Sequence, residues 1–96
     1  MMLSYKDPDE VITLTFDFSA LTPSVSSPVI SISVLSGIDA TPNSIVSGSA
    51  QIAGGKILQA IAGGIDGVVY KLKCQIDAPG GSRYVLAANL PVKTAT

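Results

Sequence analysis

The most regular pattern in the chain lies between residues 67 and 77, where apolar and polar side chains alternate without a break. A period of two is what a β-strand produces when one face meets a core and the other meets water. The segment is therefore predicted to be a half-buried strand of an antiparallel sheet. Its apolar face would carry Val68, Tyr70, Leu72, Cys74 and Ile76, and its polar face Lys71, Lys73, Gln75 and Asp77.

Five other segments have the composition and spacing of strands. They are residues 11–18, 29–35, 45–52, 56–62 and 83–92. The third of these is interrupted by Gly48, which indicates a bulge. In the fourth, two isoleucines four residues apart would also suit a helical turn, but glycine pairs bracket so few residues that a strand is favoured. Pro91 places the end of the last strand at a sheet edge.

Six short strands with turn residues between them, and no convincing helix, are typical of a β-sandwich. The predicted fold is an all-β, immunoglobulin-like antiparallel β-sandwich of six to seven strands, forming a single domain over residues 1–96. Tyr70 stands early in the penultimate strand and is followed at even offsets by Leu72 and Cys74. This position predicts a tyrosine corner, in which the hydroxyl bonds back to the preceding loop.

The composition narrows the classes of partner. Hydrophobic residues make up 47% of the chain and charged residues 14%, which excludes a disordered acidic or basic tail. Six basic and seven acidic residues give a net charge of −1 without a basic stripe, so no nucleic-acid partner is predicted. A charge so near zero tolerates association between copies, and a homo-oligomer stays open. There is no secretion signal and no apolar run of about 20 residues, so we expect a soluble chain made in the cytoplasm, with no membrane partner.

The chain offers little chemistry. It lacks histidine, the commonest general base and transition-metal ligand, and its one cysteine, Cys74, is predicted to be a buried core residue. Asp7, Asp9 and Glu10 could together hold Ca²⁺, but without a suitable glycine turn a solvated turn is favoured. The remaining aspartates are predicted to lie in loops or to point outward, which does not suit paired carboxylates for glycoside hydrolysis. They are Asp17, Asp39, Asp66 and Asp77. We therefore predict no catalytic site, no metal and no cofactor.

Two segments carry a family resemblance. One is Lys-Asp-Pro-Asp-Glu-Val at residues 6–11, leading into Phe-Asp-Phe-Ser-Ala at 16–20, and the other is Gly-Val-Val-Tyr-Lys-Leu-Lys-Cys-Gln-Ile at 67–76. With these motifs the chain resembles the phage fibre-tail adaptor proteins, small immunoglobulin-like virion components of tailed bacteriophages. The family often has a tryptophan in the second strong strand, where this chain has Ile32 and Val34, and residues 37–62 match only in turn positions.

The resemblance implies a non-catalytic virion protein in the tail region of a bacteriophage, which joins fibre or accessory proteins to the tail. Its partners would be other phage tail or fibre proteins. We expect contacts from the acidic segment with Asp7, Asp9 and Glu10, and from the edge strand 83–92 with Tyr84. Two alternatives stay open, because a fold does not fix a function. They are an adhesion or carbohydrate-binding module, for which only Tyr5 and Tyr84 could stack on a sugar, and an immunoglobulin-like domain of cellular machinery.

Overall fold

A computed structural model of the chain describes residues 5–94. Its strands are β1 (Val11–Asp17), β2 (Ser26–Ser36), β3 (Val46–Ala53), β4 (Lys56–Ala62), β5 (Val69–Asp77) and β6 (Arg83–Pro91). Two short 3-10 turns, Pro42–Ile45 and Pro79–Gly81, precede β3 and β6, and the described residues contain no α-helix. All six predicted strands are confirmed, including the ambiguous segment 56–62. Residues 1–4 and 95–96 of the predicted domain lie outside the described residues.

The strands form two antiparallel three-stranded sheets, with the orders β1-β4-β3 and β2-β5-β6. This confirms the all-β sandwich. The orders equal the B-E-D and C-F-G orders of immunoglobulin domains, in which a first strand A precedes B. In this chain the segment before β1 makes one parallel β-bridge, in which Lys6 pairs with Val92 after the end of β6. The sequence predicted the strands but not this order, because alternation describes one strand at a time.

The inward faces of the two sheets build one aliphatic core. The predicted apolar face of β5 is fully buried from Tyr70 to Ile76, and Cys74 is a free, buried thiol as predicted. Burial raises the pKa of Cys74 to about 11, so the residue stays a neutral core group at physiological pH. The other buried hydrophobic residues are Phe16, Phe18, Val25, Ile32, Ile45, Ile57, Ile61, Val68, Ala88, Leu90 and Val92.

The bulge predicted at Gly48 is present in β3. The pairing of β3 with β4 shifts register between Ser47 and Gln51, and Gly48 has a φ of +73°, a left-handed conformation that glycine adopts most easily. The buried Gln59 side chain donates through Nε2 to the carbonyls of Ser47 and Gly48, at 3.3 and 3.2 Å. A core amide of β4 therefore fixes the distorted backbone of its neighbour.

Strand β2 begins three residues earlier than predicted. Ser26 pairs with Asp77, and the register then shifts before Val29 resumes regular pairing with Gln75. Ser27 has a φ of +52°, so the two residues before Pro28 form an irregular start that a period-two pattern does not reveal.

Candidate partner-binding surface

Four segments meet at one end of the sandwich. The register pairs Val11 with Ala62, and Val69 with both Ser36 and Pro91, so the ends of these strands converge there. We call this surface the Tyr70 end, after the tyrosine at its centre. It consists of residues 5–10, 37–41, 63–68 and 92–94.

Tyr70 ties two of these segments together. Its side chain is fully buried, and its hydroxyl accepts a hydrogen bond from the Ile65 N–H at 3.0 Å. The same hydroxyl donates to Asp39 Oδ2 at 2.6 Å, while Asp39 Oδ1 accepts from the Thr41 N–H at 2.9 Å. Ile65 lies in the loop before β5, which is the loop that the sequence analysis expected the Tyr70 hydroxyl to contact. Asp39 is the partner that the sequence analysis missed.

Burial and the Asp39 carboxylate raise the pKa of Tyr70 to about 12. The hydrogen bond from Tyr70, together with that from the Thr41 N–H, lowers the pKa of Asp39. A phenol that holds its proton and a carboxylate that has lost its own are matched as donor and acceptor. The contact between loops 37–41 and 63–68 is thus charge-assisted at neutral pH.

Lys6 anchors the N-terminal segment to the same end. Only 1% of this residue is exposed, and its Nζ donates to the carbonyls of Gly63 at 2.7 Å and Asp7 at 2.9 Å. Its main chain accepts from the Lys93 N–H and donates to the Pro91 carbonyl, both at 2.9 Å. Burial lowers the pKa of Lys6, against the opposing effect of the neighbouring carboxylates. A lysine so deeply buried was not foreseen.

The predicted acidic contact residues form a compact turn at the Tyr70 end. The Asp7 N–H donates to Glu10 Oε1 at 2.7 Å, and the Asp9 N–H donates to Asp7 Oδ1 at 2.8 Å. Asp9 and Glu10 are exposed. Within residues 5–94 no group of three or more carboxylate, cysteine or histidine side chains is arranged to hold a metal ion.

Several large apolar side chains are exposed at the Tyr70 end and beside it. Ile38 is 87% exposed and precedes Asp39, and Ile65 is 47% exposed although its N–H is bonded to Tyr70. Exposed apolar groups on loops that are held in place are typical of protein contact surfaces. Three more lie in or next to these segments: Tyr5, Val11 and Leu35.

Tyr84, the other predicted contact residue, lies elsewhere. It is half-buried near the start of β6, where it pairs with Ile76, at the far end of the sandwich from Asp7. The structure thus brings Asp7, Asp9 and Glu10 together but separates them from Tyr84. Tyr5 is the exposed tyrosine of the described chain, with the Lys93 ammonium 5.6 Å from its ring centre.

The remaining aspartates are engaged in hydrogen bonds within the chain. Asp17 accepts from the Ser19 N–H and hydroxyl, which lowers the pKa of its carboxyl. Asp66 accepts from the Thr94 N–H at 2.9 Å, and Asp77 pairs with the Arg83 guanidinium at 2.9 Å. Each of these three aspartates therefore has a structural role within the fold. The described residues also contain no helix long and apolar enough to cross a membrane.

The described residues form a small all-β sandwich with exposed apolar and acidic side chains at one end. The family model for podophage GP4 fiber-tail adaptor protein gp77 matches residues 6–91. The chain belongs to this family of phage structural proteins, as its two sequence motifs predicted. Comparison with curated proteins gave no match, and neither did comparison with solved structures. The matched region begins at Lys6 and ends at Pro91, two residues joined by a main-chain hydrogen bond.

Proposed function

We propose that this chain is a non-catalytic subunit of the virion tail that joins a fibre or accessory protein to the tail. It would bind other phage tail or fibre proteins through the Tyr70 end. Family membership supports the adaptor role, and the strand order supports an immunoglobulin-like scaffold. We choose this surface because Ile38 and Ile65 are exposed there on two loops that both hydrogen-bond to the buried Tyr70 hydroxyl.

The adhesion-module alternative gains less support from the same geometry. Sugar-binding modules of this kind stack aromatic rings on their ligands. Of the three tyrosines, Tyr70 is buried and Tyr84 is half-buried, which leaves Tyr5 as an exposed ring. Glycan-array binding that is lost on Tyr84→Ala would reverse the ranking in favour of a carbohydrate-binding module.

The contribution of Ile38 can be tested with a charged substitution. Ile38→Asp should leave folding intact, because the side chain is 87% exposed, yet it places a charge in the proposed interface. We expect incorporation into virions, quantified by mass spectrometry of purified particles, to fall about tenfold or more. The matched control is Leu21→Asp, 51% exposed and outside the Tyr70 end. Equal incorporation of both variants would contradict the proposed surface, and absence of the parent chain from virions would overturn the adaptor role.

The acidic turn needs a test that spares Lys6. Deleting residues 1–10 would remove its hydrogen bonds to Gly63 and Pro91, so lost assembly would not separate contact from folding. Asp9→Lys reverses one exposed charge instead. If the turn meets a basic partner surface, incorporation should fall severalfold and the deficit should vary with salt. Unchanged incorporation at low salt would exclude a charge contact at Asp9.

A further inference from the structure

The sandwich is open along one side, between its edge strands β1 and β6. Both strands border a shallow groove of about 320 Å³. Strand β1 pairs with β4 over Val11–Asp17 without a shift, and β6 pairs with β5 over all of Arg83–Pro91 without one. Both edges are therefore regular and free of bulges, and such edges can pair with another strand. The groove, which we call the β1–β6 groove, is lined by Thr15, Phe16, Asp17, Leu86 and Ala87.

The hydrogen bonds at the two ends of β6 show which main-chain groups face this opening. Val92 bonds toward the β5 side, through Val68 and Gly67, and the Ser82 carbonyl accepts from Ala78 on that side too. The Pro91 carbonyl and Lys93 N–H bond to Lys6 on the opposite side. Successive residues of a strand point their main-chain N–H and C=O groups to alternate sides. The main-chain groups of the odd-numbered residues of β6 therefore face away from β5. These are Arg83, Val85, Ala87 and Asn89, and β5 is the one strand paired with β6 in the described chain.

The edge strands on the other side of the sandwich, β2 and β3, are irregular and less able to pair with an added strand. Strand β2 shifts register near both ends and contains Pro28, and its outward Ile32 N–H donates to the Asn43 side chain at 3.1 Å. Strand β3 is bent by the Gly48 bulge. Bulges, prolines and side-chain caps are the usual means of preventing strand addition. By contrast, β6 carries no bulge and its first proline is Pro91, where Lys6 already bonds.

The core beside the groove is incompletely covered. Leu14 of β1 and Leu86 of β6 point inward yet are only half-buried, whereas Leu72 on the central strand β5 is fully buried. Thr13, Thr15, Val85 and Ala87 are exposed and uncharged along the two edges. The two charged side chains beside the opening are engaged within the chain, since Asp17 accepts from Ser19 and Arg83 donates to Asp77. An occupant of this opening must therefore offer main-chain groups to β6, apolar side chains to the groove, and little charge.

We propose that β6 accepts an extended, uncharged segment with alternating apolar residues from a partner virion protein. The segment would add a strand along Arg83–Asn89 and place every second side chain in the β1–β6 groove. This inference rests on the proposed function and specifies how the adaptor holds one of its partners. The Tyr70 end would meet the folded part of a partner, and the β6 edge its extended segment.

A second copy of the chain fits the opening less well. Two β6 strands paired edge to edge would extend the sheet, but each keeps its apolar face against its own core. Nothing would then fill the groove beside Phe16 and Leu86. Antiparallel pairing about Ala87 would also set Pro91, which has no N–H, opposite Arg83.

Proline substitution tests the edge directly. Ala87→Pro removes an outward N–H and no bond to β5, so the strand should remain folded while a donor to the partner is lost. We expect incorporation into virions to fall about tenfold or more. Thr13→Pro is the matched control, because the Phe18 N–H bonds to Gly55 and places the odd residues of β1 on its open edge. Circular dichroism melts check that both variants fold.

Two further measurements keep the test independent of the proline. A photo-crosslinker at Val85 is compared with one at Val29, since both residues pair with Gln75 from opposite sides and are 51% and 53% exposed. We expect crosslinks from Val85, and not from Val29, to one contiguous segment of another virion protein. Hydrogen exchange should show the outward amides of β6 protected in particles relative to the free chain.

The outcomes separate the two proposals. Absence of the chain from virions would overturn both. Presence in virions with normal incorporation of Ala87→Pro and unprotected β6 amides would overturn the strand addition and leave the adaptor role intact. A Val85 crosslink between two copies of the chain would overturn the partner-segment assignment in favour of edge pairing between copies.

Discussion

Tyr70→Phe is expected to lower the free energy of unfolding by about 2 kcal/mol at neutral pH. The ring stays in the core, so the loss comes from the hydroxyl, which accepts from the Ile65 N–H and donates to Asp39. Removing it leaves the Ile65 amide without its partner and releases the 37–41 loop from the 63–68 loop. Urea denaturation measures the change. Tyr84→Phe is the matched control and should cost well under half as much, because within residues 5–94 the half-buried Tyr84 hydroxyl makes no side-chain hydrogen bond.

The same variant predicts a change in the response to alkaline pH. In the folded chain the pKa of Tyr70 is about 12, against an ordinary value near 10. Between these values the folded protein keeps the phenolic proton and the unfolded chain releases it. The contribution to stability is therefore complete below pH 10 and is lost as the pH rises from 10 to 12, by about 3 kcal/mol.

Tyr70→Phe should remove this part of the alkaline decline. The buried Cys74 thiol, with a pKa of about 11, contributes a decline of the same sign that begins near its ordinary value and stays in the variant. Unfolding curves at several pH values between 8 and 12 separate the two. Identical slopes for the parent chain and the Tyr70→Phe variant would show that the hydroxyl is not the titrating group.

The sequence was most informative where a short period determines the structure. Alternation located β1, β5 and β6 closely, and Gly48 indicated the bulge in β3. The ambiguous segment 56–62 became the central strand β4, because strands on both sides of it supply the partners that its short length needs. Such patterns are local, and the core follows from them directly.

Polar partners could not be predicted in the same way. Tyr70 and Asp39 are 31 positions apart, and they meet only because the sheet order places two loops side by side. The Gln59 amide donates to the two carbonyls at the β3 bulge, a contact that the strand pattern of residues 56–62 does not indicate. The position of Tyr84 relative to the acidic turn likewise depends on which ends of β1 and β6 coincide. Each of these facts needs the pairing of strands, which no single segment encodes.

Lys6 is the sharpest case of a residue whose role the sequence concealed. It stands among carboxylates in a charged segment, which usually indicates a solvated turn. In the fold, its main chain closes the end of β6 and its ammonium donates to the Gly63 and Asp7 carbonyls. Its aliphatic stem fills space that a shorter side chain would leave empty. The family match also begins at this residue.

Lys6→Ala is therefore expected to lower the free energy of unfolding by about 2–4 kcal/mol, through the empty space and the unpaired Gly63 carbonyl. Lys73→Ala, on the exposed face of β5, should change it by no more than about 0.5 kcal/mol. Lys6→Met keeps the stem and removes the charge, so it should be less destabilising than Lys6→Ala. Because burial depresses the pKa of Lys6, the unfolded chain binds its proton more tightly, and this group makes stability rise with alkaline pH.

Lys6→Met should therefore show a steeper alkaline decline than the parent chain, opposite in sign to the effect of Tyr70→Phe. Hydrogen exchange adds a local readout, since the Lys93 N–H donates to the Lys6 carbonyl and should lose protection when this segment detaches. Equal stability of the Lys6→Ala and Lys73→Ala variants, with an unchanged Lys93 amide, would show that the N-terminal segment is not anchored by Lys6. The segment would then be free to move as one unit, and the acidic turn could not be held in a fixed position at the Tyr70 end.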